Sequence, residues 1–406
     1  MKKNQLLKNF SGIFFIALGV FSTIPAVVSR YKIKMHPFWD AEVYAKAVEA
    51  VKAGLDPYYY DPSLQIYPVY PYHPYVLEFM IFVDKFVGID YGLVFFYVLA
   101  SFFFFRELSL RYAPIDVTTN KFVAKCKQVI FLLLLFLIGG SSLIAVSSGN
   151  ISIYLHFLLV ATFFRVVRLN KSLNSFALLC VLAAMVKPYL LAYLLLIYIY
   201  SIDVKKAINV VIFFLFTWMA IYISGNYFDA QGFNSHISAA RYLTYENGDW
   251  GFSFFGILRR RLGQNLALLA HLVILLLALA FTLFLKFKKN LNPVQLLSFF
   301  PIVSYFIVCL NPRMKEYDFG ILIFLSFASI YFLNQVRAYA LVTVVSVLLF
   351  IRYALTKVDS NTGINFSDSV LYLKYWEVLI SVIFVLTSLV MNYRRLYSAL
   401  ASFKDS

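Results

Sequence analysis

Four charged positions stand beside apolar stretches where charge is costly: Asp40, Lys187, Arg313 and Lys315. Asp40 lies in His36-Pro37-Phe38-Trp39-Asp40-Ala41-Glu42-Val43-Tyr44, an aromatic-rich segment followed by Gly54-Leu55-Asp56-Pro57-Tyr58. From Asp40 to Ala53 the spacing predicts a helix, with Val43, Ala47 and Ala50 on one stripe and Gly54 as its stop. Two readings of Asp40 stand. It is the N-cap of that helix, or a carboxylate that takes a proton as a general base. Asp40 and Glu42 are two apart and point in different directions on a helix, so no metal site is expected from them.

Lys187 interrupts an apolar stretch from Phe176 to Ile202, within Met185-Val186-Lys187-Pro188-Tyr189. As part of one span it would sit near mid-membrane at a cost of about 2.5–3.5 kcal/mol. Two short spans meeting at Lys187 avoid this and agree better with the later charges. At about 20–22 Å each, they fall short of a hydrocarbon core of about 30 Å, so the lysine would stand in a recess open to the outside. It either binds an anion there or snorkels to the interface. Asn311-Pro312-Arg313-Met314-Lys315-Glu316-Tyr317-Asp318 is a second charged patch, read as mutual ion pairs or as a phosphate site. Each charge-assisted hydrogen bond to a phosphate would contribute about 1.5–3 kcal/mol. The Tyr-Pro stretch Tyr70-Pro71-Tyr72-His73-Pro74 is extended by its prolines and suits interfacial anchoring or a groove for a sugar or lipid head group.

These residues must be held by membrane helices. Of the 406 residues, 62% are hydrophobic and 14% charged, against about 25% charged in a soluble domain. The fold class expected is all-α integral membrane, a single polytopic domain over 1–406. Spans are expected near 10–29, 91–105, 128–147, 151–165, 174–186, 188–202, 207–223, 264–285, 294–310, 319–333, 338–355 and 375–391. Both termini then lie on the cytoplasmic side, and 10–29, preceded by Lys2, Lys3 and Lys8, reads as an uncleaved signal anchor. The long outer segments are 30–74 and 224–263, with an interfacial helix at 75–87. On this assignment the cytoplasmic side carries the whole net charge of +16, the pattern of the positive-inside rule rather than of nucleic-acid binding. Cys126, Cys180 and Cys309 have neither disulfide nor metal-ligand spacing.

The motifs resemble, in order along nearly the whole chain, those of the GT-C superfamily of membrane glycosyltransferases and, more narrowly, glycosyltransferase family 87. They are Asp40 with Tyr44; Gly54, Asp56, Pro57 and Tyr58; Tyr70 to Pro74; Ser148-Gly149-Asn150; Lys187-Pro188; Ser253, Gly256 and Arg259; and Pro312, Arg313, Lys315, Tyr317 and Asp318. The resemblance implies a GT-C-like bundle of about 12 helices in the plasma (inner) membrane of a prokaryote, with an extracytoplasmic active site. Asp40 would be the catalytic base. Lys187, Arg313 and Lys315 would hold the phosphate of a polyprenyl-phosphate-linked sugar, of mannose or arabinofuranose type. Tyr44, Asp56, Tyr58, Tyr72, His73, Asn150, Arg259, Tyr317 and Asp318 would bind substrate. The acceptor would be a glycan, glycolipid or protein. No cofactor or metal is implied, because phosphate is already an acceptable leaving group, and the product would be inverted.

A transporter or flippase and a lipid-linked glycan polymerase or ligase are the competing expectations. Transporters carry internal repeats and mid-membrane polar sites; no repeat is evident here, and the charges gather at one face. A scaffold would leave the collected charges unexplained.

Overall fold

A computed structural model describes residues 38–58, 70–112, 136, 141–169, 171–201, 203–243, 253–287, 300–311, 313–333, 335–362 and 380–392. The described elements are helical, with no strand among them. They are α1 (Glu42–Lys52), α2 (Pro74–Val87), α3 (Ile89–Tyr112), α4 (Ser141–Ser148), α5 (Ile151–Arg168) and α6 (Asn174–Val186). A 3-10 segment (Pro188–Leu194) leads into α7 (Leu195–Tyr200), then α8 (Val204–Phe228), α9 (Ala230–Arg241), α10 (Phe254–Leu262), α11 (Gln264–Phe287) and α12 (Phe300–Cys309). A 3-10 turn (Glu316–Phe319) precedes α13 (Gly320–Leu333) and α14 (Gln335–Thr362), and α15 (Ile380–Asn392) follows.

Within these, α3, α5, α8 and α11 are long and apolar enough to cross a membrane. α8 and α11 turn large apolar side chains outward, among them Phe213, Phe216, Leu269 and Leu276, each more than half exposed. Water would penalise such faces and lipid does not. The core lies around α5, which is buried along most of its length. Phe157 stacks on Phe104 of α3 at 4.2 Å, and Phe324 of α13 lies 5.6 Å from Phe104.

Several expected spans coincide with observed helices, with ends displaced by a few residues. The span at 174–186 matches α6, and 207–223 extends to α8. The span at 188–202 is half 3-10, because Pro188 lacks an N–H and the chain tightens after it. The helix at 75–87 is α2, entered through Pro74 and ended by Gly88 at φ +80°. The second outer segment, read as loop, is partly helical: α8 runs to Phe228, and α9 and α10 follow. α9 is short and polar, and only His236 and Ala239 are buried in it, so no long apolar stripe signals a helix in sequence. The expected span 10–29, most of 128–147 and residues 59–69 lie outside the described residues.

An ion pair joins α3 to the end of α5. Glu107 of α3, with no exposed side-chain surface, accepts from Arg168 Nη2 at 2.9 and 3.2 Å and from Nε at 3.3 Å. Arg106 reaches the same carboxylate once, at 3.4 Å. The pair ties the ends of α3 and α5, the two helices that frame the site at their other ends. Removing one partner strands a buried charge, at roughly 3–5 kcal/mol. Arg168→Ala should therefore destabilise the protein by about 3 kcal/mol, the lower end because Arg106 compensates in part. Unfolding in detergent should show the loss, and adding Glu107→Gln should recover most of it.

Candidate functional site

The site is built where α4 ends and α5 begins. At the end of α4 the carbonyls have no further helical N–H to accept from. The chain at 38–40 supplies donors: Phe38 N donates to Ser147 O at 2.7 Å and Asp40 N to Ser148 O at 2.9 Å. Gly149 must be glycine here. Its φ is +68°, and a Cβ would come within 2.7 Å of the Phe38 ring. Phe38 itself holds φ +62°, a left-handed conformation uncommon outside glycine. Its ring lies against Tyr97, whose hydroxyl donates to Gly149 O at 2.5 Å and whose ring stacks on Tyr154 at 3.9 Å.

Asp40 is therefore placed by this strap and not as the cap of α1. The N-cap of α1 is Ala41, with no side-chain cap bond, while Gly54, at φ +73°, follows its end as expected. The Asp40 carboxylate instead accepts from Asn150 Nδ2 at 2.8 Å. Glu42 turns away to Lys46 at 3.7 Å.

Lys187 is the extended residue between α6 and the 3-10 segment, half-buried, with its ammonium 5.1 Å from the centre of the Tyr72 ring. Tyr72 stacks on Tyr44 at 5.3 Å, and their hydroxyls share a hydrogen bond at 3.0 Å. Burial holds the Tyr44 phenol well above its ordinary range, with the neighbouring tyrosines and Asp40 adding to the effect.

The third component is the 3-10 turn packed against α4 and α5. Asp318 Oδ2 accepts from Lys315 N at 2.8 Å, and Asp318 N donates to Lys315 O at 3.0 Å, so the aspartate closes the turn that carries Lys315. Asn311 Oδ1 accepts from Arg313 N at 3.1 Å, setting the start of the same loop. Asp318 is 5% exposed, and burial pushes its carboxyl up from 3.8 to about 6. The hydrogen bond from Lys315 and the charges of Lys187 and Lys315 pull it down, and Asp40 pushes it up. Asp40, Lys187 and Lys315 thus all act on the carboxyl of Asp318.

Other candidates fall on adjoining structure. Asp56 ties its loop to α9, accepting from Tyr58 N at 2.8 Å and Ser235 Oγ at 2.9 Å. His73 caps α2: Nδ1 accepts from Tyr75 N at 3.2 Å, which assigns the ring proton to Nε2, and Nε2 donates to Tyr222 O at 3.0 Å. Burial lowers its pKa, so it stays neutral. Tyr58 is buried between Tyr70 and His236, its hydroxyl without a hydrogen-bond partner among the described residues. Arg259 stands over the Phe255 ring at 6.0 Å on α10, which packs against α11. Tyr317 lies in the 3-10 turn beside Asp318. Tyr97 was not singled out in sequence; an apolar helix hides a tyrosine whose partner is a carbonyl 52 residues away.

The raised carboxyl fixes a sign. Above about pH 6 Asp318 is anionic and offsets a lysine; below it the carboxyl is neutral and the group gains net positive charge. Because the folded value lies above 3.8, Asp318 stabilises the fold fully only below that pH, and the contribution is lost as pH rises through about 6. A singly charged phosphodiester, whose own charge is constant over this range, should bind more tightly as pH falls from 8 to 5. In Asp318→Asn binding should already be tight at pH 8 and the step near 6 should vanish; titration of the protein in detergent checks both. Comparison of the chain with protein-family models, curated proteins and solved structures gives no match, so the reading of the site rests on its own residues.

Proposed function

We propose that the chain is an integral membrane glycosyltransferase of about twelve spans. It moves one sugar, of mannose or arabinofuranose type, from a polyprenyl-phosphate donor to an acceptor hydroxyl on the extracytoplasmic side. The observation that carries this is that Asp40, Lys187 and Lys315 all lie close enough to Asp318 to act on its carboxyl, beside the packing of the 3-10 turn on α4 and α5. A base and cations at one place suit a displacement in which a proton leaves one oxygen while negative charge develops on another.

In the reaction the acceptor hydroxyl gives its proton to Asp40 as its oxygen bonds to the sugar C1. The C1–O bond to phosphate breaks, and its electron pair leaves with the polyprenyl phosphate. Attack opposite the leaving group inverts the anomeric centre. Lys187, Arg313 and Lys315 stabilise the phosphate charge as it grows, which lowers the barrier more than it favours the bound donor. Phosphate leaves readily without further activation, so the step calls for neither a covalent intermediate nor a metal.

The shortness of α6 is compatible with the recess expected at Lys187, and such a recess would suit the same reading. α6 has 13 residues, about 20 Å at 1.5 Å per residue, short of the hydrocarbon core of about 30 Å. A lipid-borne phosphate reaches such a depth while its tail stays among lipid.

Membranes carrying the protein should transfer tritiated sugar from mannosyl- or arabinofuranosyl-farnesyl phosphate to an acceptor fraction from the cell of origin. Asp40→Asn should reduce transfer by about 10²–10⁴-fold with an unchanged thermal midpoint. Lys187→Met should weaken donor binding as well as turnover. Transfer at the wild-type rate by Asp40→Asn would sink the proposal.

A further inference from the structure

The two ends of the Asn150 side chain have different partners. Oδ1 accepts from Ser152 N at 2.9 Å and also from the Ser152 hydroxyl, capping α5. With Oδ1 committed to two donors, the amide cannot be flipped without loss, and Nδ2 is the end that faces Asp40. That nitrogen donates to Asp40 Oδ2 at 2.8 Å across 110 residues of chain. Asn150 is 4% exposed, so little water competes for the bond.

A cap needs only the oxygen. Asp and Ser cap a helix about as well as Asn, so capping alone gives no reason for a donor at the other end. The neighbouring backbone contributes as well. Ser148 O accepts from Asp40 N at 2.9 Å, and Ser148 Oγ accepts from Asn150 N at 3.2 Å. Main chain from Ser148 and side chain from Asn150 therefore grip the same aspartate, and both belong to the turn between α4 and α5.

We infer that Asn150 is a positioning residue for Asp40: its amide N–H fixes the plane of the carboxylate and so the lone pair presented to the acceptor hydroxyl. The inference rests on the transferase reading above. It assigns Asn150 a role through Asp40 in place of direct contact with substrate. General-base transfer is sensitive to such placement, since a shift of about 1 Å can cost 10²-fold in rate.

Substitution separates the two tasks. Asn150→Asp keeps the size and the capping oxygen but turns an acceptor toward Asp40. Asn150→Ser keeps a cap and removes the donor without adding charge. In the full-length protein in proteoliposomes, with mannosyl- or arabinofuranosyl-farnesyl phosphate as donor, Asn150→Ser should keep the wild-type thermal midpoint, whereas Asn150→Asp, which sets a second carboxylate against Asp40, should lower it. Turnover at saturating donor should fall about 100-fold in Asn150→Asp and about ten-fold in Asn150→Ser, with donor KM unchanged. Wild-type turnover in Asn150→Asp, or a loss appearing only in KM or thermal midpoint, overturns the inference.

A second readout needs no sugar transfer. A hydrophobic carbodiimide adds to carboxyl oxygens, and mass spectrometry reports its adduct on Asp40. Loss of the amide should raise the labelling rate of Asp40 severalfold in Asn150→Ser. Equal labelling of the two proteins overturns the positioning role. Faster labelling in a protein that transfers no sugar upholds the contact and overturns the transferase reading instead.

Discussion

The last carbonyls of α4 lack helical donors, and the rest of the site follows from how that need is met. Phe38 N and Asp40 N satisfy Ser147 O and Ser148 O, which lashes the start of the first outer segment onto the helix end. Buried backbone groups left without partners would each cost about 1–3 kcal/mol, so the strap is enforced by the same requirement that makes helices in lipid. The geometry it imposes is demanding: a glycine at 149, with Phe38 and Ala41 close against it, and a left-handed Phe38 whose ring lies on Tyr97. A non-glycine residue in that conformation persists only where its surroundings over-determine it. Here they do, and the carboxylate of Asp40 arrives beside α5 as a consequence.

Electrostatics then decides what the arrangement can bind. Around Asp318 the lysines Lys187 and Lys315 oppose Asp40, a near-cancellation that makes the buried carboxyl tolerable. Near-cancellation also makes it responsive. Protonating Asp318, or bringing in an anion, shifts the balance among charges that are poorly screened by water. The tyrosines contribute in a different way. Lys187 rests over the Tyr72 ring, and Tyr72 is held by Tyr44 through both ring and hydroxyl. The Lys187 ammonium thus rests against an aromatic face, whose negative ring surface attracts a cation.

Parts of this were legible in sequence for physical reasons. Lys187 followed by Pro188 marks a break, since proline cannot donate and a lysine cannot sit cheaply in mid-membrane; the helix does end at Val186. Gly54 marks a stop and is found there, and the helix expected from 75 begins one residue earlier, at Pro74, the last residue of the stretch read as extended. Local spacing misled at Asp40, where a helix follows but the side chain bonds elsewhere. The competing partner, Asn150, lies 110 residues away and no periodicity points to it. The Glu107–Arg168 pair and the Tyr97–Gly149 bond were hidden for the same reason, being long-range contacts between residues unremarkable in their own segments. α9 was hidden by composition: it is anchored by its Asp229 cap and by aromatic contacts of His236 and Phe233 with Tyr222 and His73, not by a long apolar face.

The two ends of α3 and α5 bring these strands together. At one end Glu107 and Arg168 fix the helices relative to each other; at the other Tyr97 of α3 and Tyr154 of α5 stack while Tyr97 holds the Gly149 carbonyl. A rigid pair of this kind lets a short turn, Ser148-Gly149-Asn150, position a carboxylate with the accuracy of a helix rather than of a loop. The opposite side of the group is carried by shorter elements, the 3-10 segment after Lys187 and the 3-10 turn closed by Asp318. Asp40 is therefore anchored beside two long packed helices, and the lysines to shorter segments with fewer hydrogen-bonded turns behind them. For the displacement reaction proposed above, that division would be useful. The proton acceptor must be in one place, whereas cations following a phosphate through a changing bond gain from some freedom to move with it.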